Sequence, residues 1–91
     1  MQSFYDDDQI LLTLYCKDPS SGSGPDCPAF YKTTRGDWTA QGERTDEEVT
    51  SQLIALKPSE TSVMLPDALV DLFCRRYVRE KYGVDIPGAP G

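Results

Sequence analysis

The clearest pattern of apolar positions in the chain lies near its carboxyl end, between a proline and a glycine. Leu69, Phe73 and Tyr77 recur there every four residues, which places them on one face of a helix. Pro66 suits the first helical position, and Gly83 can adopt the left-handed conformation that ends a helix. The pattern predicts a long amphipathic helix whose apolar face is buried against the rest of the fold.

Near the amino end, residues 10–17 alternate with the period of two that is typical of a strand. The face predicted to point into the core carries Ile10, Leu12, Leu14 and Cys16. The opposite face, which is predicted to be half-exposed, carries Leu11, Thr13, Tyr15 and Lys17.

Residues 30–43 contain two aromatic and β-branched runs that are separated by a short turn with Gly36, which predicts a hairpin. Two registers are open. A two-residue turn pairs Thr33 with Trp38, whereas a turn with a bulge at Gly36 pairs Lys32 with Trp38.

Between the hairpin and the long helix, the sequence predicts a bulge, a short helix and a strand. Gly42 is a candidate bulge that lets the chain leave the sheet. Thr45 and Glu48 form a capping box, in which Thr45 accepts from the Glu48 amide, and Pro58 bounds a helix of about three turns. Residues 60–65 are predicted to form the last strand.

Together these elements predict an α+β fold, in the order strand, strand, strand, helix, strand, helix. We expect an antiparallel sheet of three to four strands, covered on one face by two helices. Residues 9–83 form this single domain, with a mobile loop at 18–26 that contains Pro, Gly, Ser, Asp and no large apolar residue. Residues 1–8 are an acidic extension, and 84–91 are a loose tail rich in proline and glycine.

The net charge indicates which classes of binding partner are to be expected. Nine Lys and Arg stand against fifteen Asp and Glu, a net charge of −6, and the whole surplus lies in residues 1–48. Nucleic-acid binding depends on neutralising phosphates with basic side chains, so we expect no direct contact with DNA or RNA. No apolar run approaches the roughly 20 residues of a membrane span, and the first residues are acidic. A soluble, cytoplasmic protein that does not enter membranes is expected.

The three cysteines allow one redox hypothesis. Cys16 and Cys27 flank the loop at 18–26 and could form a redox-sensitive pair or a disulfide, although an odd cysteine count in a reducing compartment favours free thiols. Cys74 lies on the apolar face of the long helix and is predicted to be a small buried residue. The chain contains no His and no C-x-x-C spacing, so neither a metal site nor a cofactor is expected.

The absence of His also removes the commonest general base and the usual activator of Ser or Cys nucleophiles. The acidic residues give no reason for a shifted pKa, because 46–48 are explained by helix capping and 6–8 lie at the terminus. The protein is therefore expected not to be an enzyme, and an enzyme that works through carboxylates alone is the remaining catalytic alternative.

Surface side chains then become the main candidates for function. Aromatic residues next to charged ones are typical of protein interfaces, and the chain has more of them than so small a core is expected to bury. The candidate interaction surface consists of Tyr15, Tyr31, Trp38, Arg75, Arg76 and Arg79. The arginines can instead form a solvated face through pairs of Asp71 with Arg75 and Arg76 with Glu80.

Residues 27–66 carry a pattern of turns and aromatics formed by Cys27, Pro28, Tyr31, Thr33, Arg35, Gly36, Trp38, Gln41, Gly42, Glu60, Thr61, Leu65 and Pro66. In this pattern the chain resembles a group of short, uncharacterised actinobacterial proteins. Members share this hairpin, a short helix and a final strand, and they often accompany helix-turn-helix regulators. The resemblance implies an accessory role in a bacterial regulatory system. The long final helix and the loop at 18–26 depart from the group's pattern.

These observations favour a small, non-enzymatic binding or regulatory module with an acidic surface. Its partner is expected to be another protein or a second copy of the chain, paired along a sheet edge. A thiol-based redox sensor that uses Cys16 and Cys27 is the alternative from a different class.

Overall fold

The computed structural model describes residues 9–20 and 27–86. Its elements, in chain order, are strands β1 (Leu12–Lys17), β2 (Ala29–Thr33), β3 (Trp38–Gln41) and β4 (Glu43–Arg44), helix α1 (Glu47–Thr50), strand β5 (Val63–Met64) and helix α2 (Asp67–Tyr82). Strands β1, β2 and β3 form an antiparallel sheet in that order, and β4 pairs with β5 in a second, two-stranded sheet.

The predicted α+β class is confirmed. The expected acidic extension at 1–8, residues 21–26 of the expected loop and residues 87–91 of the expected tail lie outside the described residues. The first residue of that loop is fixed, because Asp18 is buried and its amide donates to the Pro28 carbonyl at 2.8 Å.

Helix α2 begins and ends close to the predicted residues. Pro66, which was predicted to be the first helical residue, is instead the N-cap with an extended backbone, so the helix begins one residue later, at Asp67. Gly83 ends the helix with φ at 69°, and its amide donates to the Arg79 carbonyl at 2.9 Å. Leu69 and Phe73 pack against the three-stranded sheet, where Leu69 is 0 % exposed. The helix therefore covers one face of the β1–β2–β3 sheet.

The covered face of β1 differs from the prediction. Leu12 and Leu14, which were expected in the core, are 50 % and 51 % exposed, and Ile10 is exposed as well. Tyr15 and Cys16 are both buried, because the pairing with β2 shifts between Leu14 and Cys16 and inserts one extra residue. The bulge turns two consecutive side chains toward α2.

The hairpin between β2 and β3 adopts the second of the two predicted registers. Lys32 pairs with Trp38, and Gly36 has φ at 92°, a conformation that favours glycine. The Thr33 hydroxyl accepts from the Arg35 amide at 3.1 Å and donates to the Asp37 carboxylate. These bonds inside the turn fix Trp38 on the face of the sheet that α2 covers.

Gly42 lies where the chain leaves the first sheet for the second. A Cβ atom at this position would lie 2.5 Å from the Met64 carbonyl oxygen and 3.0 Å from Leu65 Cδ2. The close approach lets β4 pair with β5, with Glu43 opposite Met64. The last predicted strand thus pairs with residues just after Gly42 and does not extend the three-stranded sheet.

The predicted three-turn helix after Thr45 is a single turn. Its N-cap is Asp46, whose carboxylate accepts from the Val49 amide at 3.1 Å, and the predicted bond from the Glu48 amide to Thr45 is wrong. Thr50 and Ser51 donate their hydroxyls back to the Asp46 and Glu48 carbonyls, which competes with helix propagation. The apolar residues that follow are only partly covered by the described part of the chain, since Leu53 is 40 %, Leu56 37 % and Ile54 95 % exposed.

Candidate interaction surfaces

An aromatic cluster joins α2 to the sheet. The Phe73 ring centroid lies 5.0 Å from that of Trp38, 5.6 Å from that of Tyr15 and 4.4 Å from that of Phe30. Trp38 and Tyr15 meet edge to face at 4.8 Å, a favoured arrangement for aromatic pairs. The cluster extends to the surface at Tyr77, whose ring stacks on Phe73 at 5.7 Å. These rings form both the core and the floor of a surface groove.

A hydrogen-bonded network lies beside the cluster. The Tyr15 hydroxyl donates to Glu80 Oε1 at 2.7 Å, and Arg76 Nε donates to Glu80 Oε2 at 3.0 Å. The Arg76 guanidinium also lies over the Tyr15 ring, 4.2 Å from its centroid, and donates to the Tyr15 carbonyl. One helix residue, Glu80, is thereby held by a strand side chain and by its own helix neighbour.

The network shifts the pKa of each of its members. Burial, followed by the hydrogen bond to Glu80, raises the pKa of Tyr15 to about 12. The hydrogen bonds from Tyr15 and then Arg76 lower the pKa of Glu80, and the bond to Glu80 raises the pKa of Arg76. At neutral pH the phenol is therefore protonated and Glu80 and Arg76 are charged, which suits binding and positioning and does not suit proton transfer.

The groove lies between the hairpin and α2 and has a volume of about 370 Å³. It is lined by Lys32, Gly36, Trp38, Tyr77, Glu80 and Lys81. Lys32 Nζ is 5.4 Å from the Trp38 ring centroid. Lys81 Nζ is 5.4 Å from the Tyr77 ring centroid and donates to the Tyr77 hydroxyl at 3.0 Å. That hydrogen bond raises the pKa of Lys81, so the ammonium group stays charged at neutral pH.

The arginine residues predicted as part of an interaction surface each have an acceptor within the chain. Arg75 pairs with Asp71 at 2.9 Å and also donates to the Ile86 carbonyl at 2.8 Å. Arg79 pairs with Asp85 at 3.2 Å in an exposed contact, and Arg76 is held by Glu80 as described. The two predicted pairs on α2 are confirmed, and both are i, i+4 pairs of the kind that stabilise a helix modestly.

The predicted aromatic surface is divided by the sheet. Tyr15 is 5 % exposed, so its prediction as a surface residue is wrong, because the bulge in β1 turns it beneath α2. Trp38 is half-buried on that same face. Tyr31 is paired with Thr39, next to Trp38 along the hairpin, so it points to the opposite face of the sheet. The Tyr31 hydroxyl donates to Gln41 Oε1 at 3.0 Å.

The opposite face contains the surface that the sequence interpretation missed. Leu12 and Leu14 lie there on β1, an edge strand, and Ile10 and Leu11 just before it are also exposed. The signal was present in the sequence, because residues 9–16 contain no charged side chain and are apolar on both faces. When a strand is apolar on both faces, one face can pack against the core of its own domain and the other against a second surface.

The cysteines occupy different environments. Cys16 and Cys27 are buried thiols, whereas Cys74 is exposed, so the predicted burial of Cys74 on α2 is wrong. The α2 residues that pack into the core are Leu69, Leu72 and Phe73, and the rotation of the helix leaves Cys74 outside. Cys16 pairs with Phe30, three residues beyond Cys27, an offset of roughly 10 Å along the strand that exceeds the reach of a disulfide. A bridge would therefore require these strand ends to move.

The described ranges, 9–20 and 27–86, also bear on metal binding and on membrane insertion. Within them, His, Cys, Asp and Glu residues form no group of three that could hold a metal ion. Neither helix in the same part of the chain has the length and apolar character needed to cross a membrane.

Comparisons with known proteins do not place the chain in a family. No protein-family model, no curated protein and no solved structure matches it. The resemblance of residues 27–66 to short actinobacterial proteins therefore stays a prediction, and function has to be inferred from the surfaces described above.

Proposed function

We propose that this protein is a small, non-enzymatic module that binds another protein chain through the exposed apolar residues of β1. The observation that carries this proposal is the exposure of Leu12 and Leu14 by about half on an edge strand, beside exposed Ile10 and Leu11. Contiguous exposed apolar side chains on a small domain are typical of interaction sites.

The size of the core supports the same proposal. Among the described residues, the buried apolar side chains are Tyr15, Cys16, Cys27, Ala29 and Leu69, and Leu69 is the largest that is fully buried. A domain of this length has a small margin of stability even when it is well packed. A partner that binds the folded form and covers β1 would add to that margin by mass action.

The chemistry of the groove and its neighbours favours binding over catalysis. Glu80 is held ionised by Tyr15 and Arg76, and burial raises the pKa of the Cys16 thiol, which disfavours the reactive thiolate. On the side of the sheet that α2 covers, Lys32 and Lys81 lie over aromatic rings, where their ammonium groups suit the binding of an acidic side chain. The module is proposed to act in the cytoplasm as an accessory of a regulatory system, in line with the resemblance of residues 27–66.

The experiment is a pull-down from an extract of the source organism with three forms of the full chain as bait. The Leu14→Lys variant places a charge on the exposed apolar face, and the Ser59→Lys variant adds the same charge on an exposed turn away from β1. Proteins retained by the wild type and by Ser59→Lys, but lost with Leu14→Lys, would support the proposal. Equal retention by all three forms, or turnover of a substrate by the pure protein, would overturn it.

A further inference from the structure

We infer that the partner that covers β1 is a second copy of this chain, paired strand to strand so that the two three-stranded sheets become one continuous sheet. This inference rests on the proposed binding role of β1 and adds the identity of the occupant. Three features of β1 carry it: the direction of its backbone groups, the pairing that a two-fold axis would produce, and the distribution of charge.

The outer edge of β1 presents backbone groups that are ready to pair. The Leu11 carbonyl accepts from the Thr34 amide at 3.1 Å, so Leu11 directs its backbone toward β2. Because the direction alternates along an antiparallel ladder, Thr13 also faces β2, and the N–H and C=O groups of Leu12 and Leu14 face the open edge. Since no described strand pairs on that side, these two residues can form a new antiparallel ladder without disturbing the existing one.

A two-fold axis through the sheet at Thr13 makes this strand complementary to itself. Leu12 then lies opposite Leu14 of the second copy, and Leu14 opposite its Leu12, which gives two leucine pairs on the exposed face. Each of these side chains is about half exposed in the single chain, so pairing removes apolar surface from water on both copies.

Charge favours contact at this strand over contact elsewhere. The chain carries a net charge of −6, so two copies repel each other at most orientations. Residues 9–16 contain no charged side chain and no proline, and the one charged residue of β1, Lys17, lies at its end and carries a charge opposite in sign to that of the whole chain.

The other edge of the sheet is a poorer site for pairing. Strand β3 spans four residues, Trp38–Gln41, and the chain then turns away at Gly42 to form β4. Short edge strands that bend out of the sheet are a recognised protection against edge-to-edge association. The β1 edge is therefore the one at which a second copy is expected.

The test uses the full chain alone in solution. Sedimentation equilibrium over a range of concentrations should give twice the chain mass for the wild type. The dimer of the Leu14→Lys variant should have a dissociation constant about a hundredfold larger than that of the wild type, because the substitution places a charge in an apolar contact. Thr39→Lys, on the same face but on the far edge strand, should associate like the wild type, and circular dichroism checks that both variants are folded.

Amide hydrogen exchange tests the strand pairing in the wild type without any variant. The Leu12 and Leu14 amides should exchange at least tenfold more slowly at high than at low protein concentration, because they pair only in the dimer. A wild type that stays monomeric, or a dimer in which these amides stay unprotected, would overturn the inference. A monomer that still captures a protein in a Leu14-dependent manner would leave the proposed binding function standing and assign β1 to a different chain.

Discussion

Tyr15 is the residue at which the sheet, the helix and the charged surface meet. Its ring lies under α2 between Trp38 and Phe73, and its hydroxyl donates to Glu80. Sequence alternation alone placed it on a half-exposed face. The extra residue in β1 buries it instead, and the buried phenol then depends on Glu80 as its acceptor.

The Tyr15 hydroxyl should therefore ionise at a higher pH than an exposed tyrosine does. Because its pKa is raised to about 12 by burial and by the Glu80 bond, the folded protein keeps a proton that an unfolded tyrosine loses near pH 10. The contribution of this group to the free energy of unfolding is then fully present and independent of pH below about pH 10, and it is lost as the pH rises from about 10 to 12. The difference in tyrosinate absorbance between wild type and Tyr15→Phe should have its midpoint near pH 12.

A midpoint near pH 10 in that difference titration would contradict both the burial of Tyr15 and its hydrogen bond to Glu80. Glu80→Gln serves as a second check, since it leaves an acceptor in place but removes the negative charge. In this variant the midpoint should move down toward the usual tyrosine value while the fold, measured by circular dichroism, is retained.

The three cysteines should react at different rates with a thiol reagent. Cys74 is exposed and should react rapidly, whereas Cys16 and Cys27 are buried and should react only as fast as the fold opens. Burial also raises the pKa of Cys16, which lowers its thiolate fraction further. Counting of thiols before and after addition of urea measures this, with Cys74→Ser as the control that removes the fast phase.

Rapid oxidation of Cys16 and Cys27 to a disulfide under native conditions would contradict that expectation. It would show that the strand ends move enough to bring the two thiols together, as the redox-sensor hypothesis requires, because the observed register leaves them too far apart to bridge without movement.

At the scale of elements, Phe73 is the side chain that attaches α2 to the sheet. Its ring contacts those of Tyr15, Phe30 and Trp38. Phe73→Ala should lower the free energy of unfolding by about 3 kcal/mol, the low end for this substitution because the ring is only half-buried. Urea unfolding followed by the fluorescence of Trp38, the one tryptophan in the chain, measures the loss.

Tyr82→Ala is the matched control for Phe73, since it removes an aromatic ring from the exposed end of the same helix. Its effect should stay within about 0.5 kcal/mol. Equal losses for the two variants would mean that α2 does not dock through the aromatic cluster.

Gly42 should tolerate no side chain, since it allows β4 to approach β5. In Gly42→Ala the new Cβ would meet the Met64 carbonyl, a backbone atom that cannot rotate away. We expect a loss of about 1 to 3 kcal/mol, as is usual for overpacking. Ser59→Ala, in an exposed turn, is the control in the same urea titration, and an unchanged midpoint for Gly42→Ala would show that the two strands can separate at no cost.

The elements that sequence predicted well are those set by local signals. Gly83 ended α2, Gly36 allowed the turn, and spacing of four residues gave the Asp71–Arg75 pair. The features that it missed depend on distant residues. The bulge at Tyr15 forms against β2 and α2, and the length of α1 depends on how well a surface covers the apolar residues that follow it, of which Ile54 is 95 % exposed in the described part of the chain.

The candidate surface follows the same division. The charge-free run at 9–16 could be recognised in the sequence, but its exposed face could not be assigned, because one inserted residue decides which leucines face α2. Exposed Cys74 and buried Tyr15 were misplaced for a related reason, since the rotation of α2 and the bulge in β1 were both unknown.

At the scale of the whole molecule, a small core is combined with a large negative charge. The dimer inferred above would bring two chains of −6 together through paired residues, 12–14, that carry no charge. Association should then be opposed by long-range repulsion and favoured by short-range apolar contact. Salt should weaken the first without weakening the second, because the Debye length falls from about 10 Å at 0.1 M to about 3 Å at 1 M.

The dissociation constant of the dimer should therefore decrease several-fold as sodium chloride is raised from about 0.1 M toward 1 M. Sedimentation equilibrium measures this. A double variant, Glu47→Gln with Glu48→Gln, is the control because it removes two negative charges at exposed positions away from β1. Its dissociation constant should be smaller at low salt and should change less with salt. A dissociation constant that rises with salt would instead show that opposite charges hold the two chains together, which would contradict an association based on the leucine pairs.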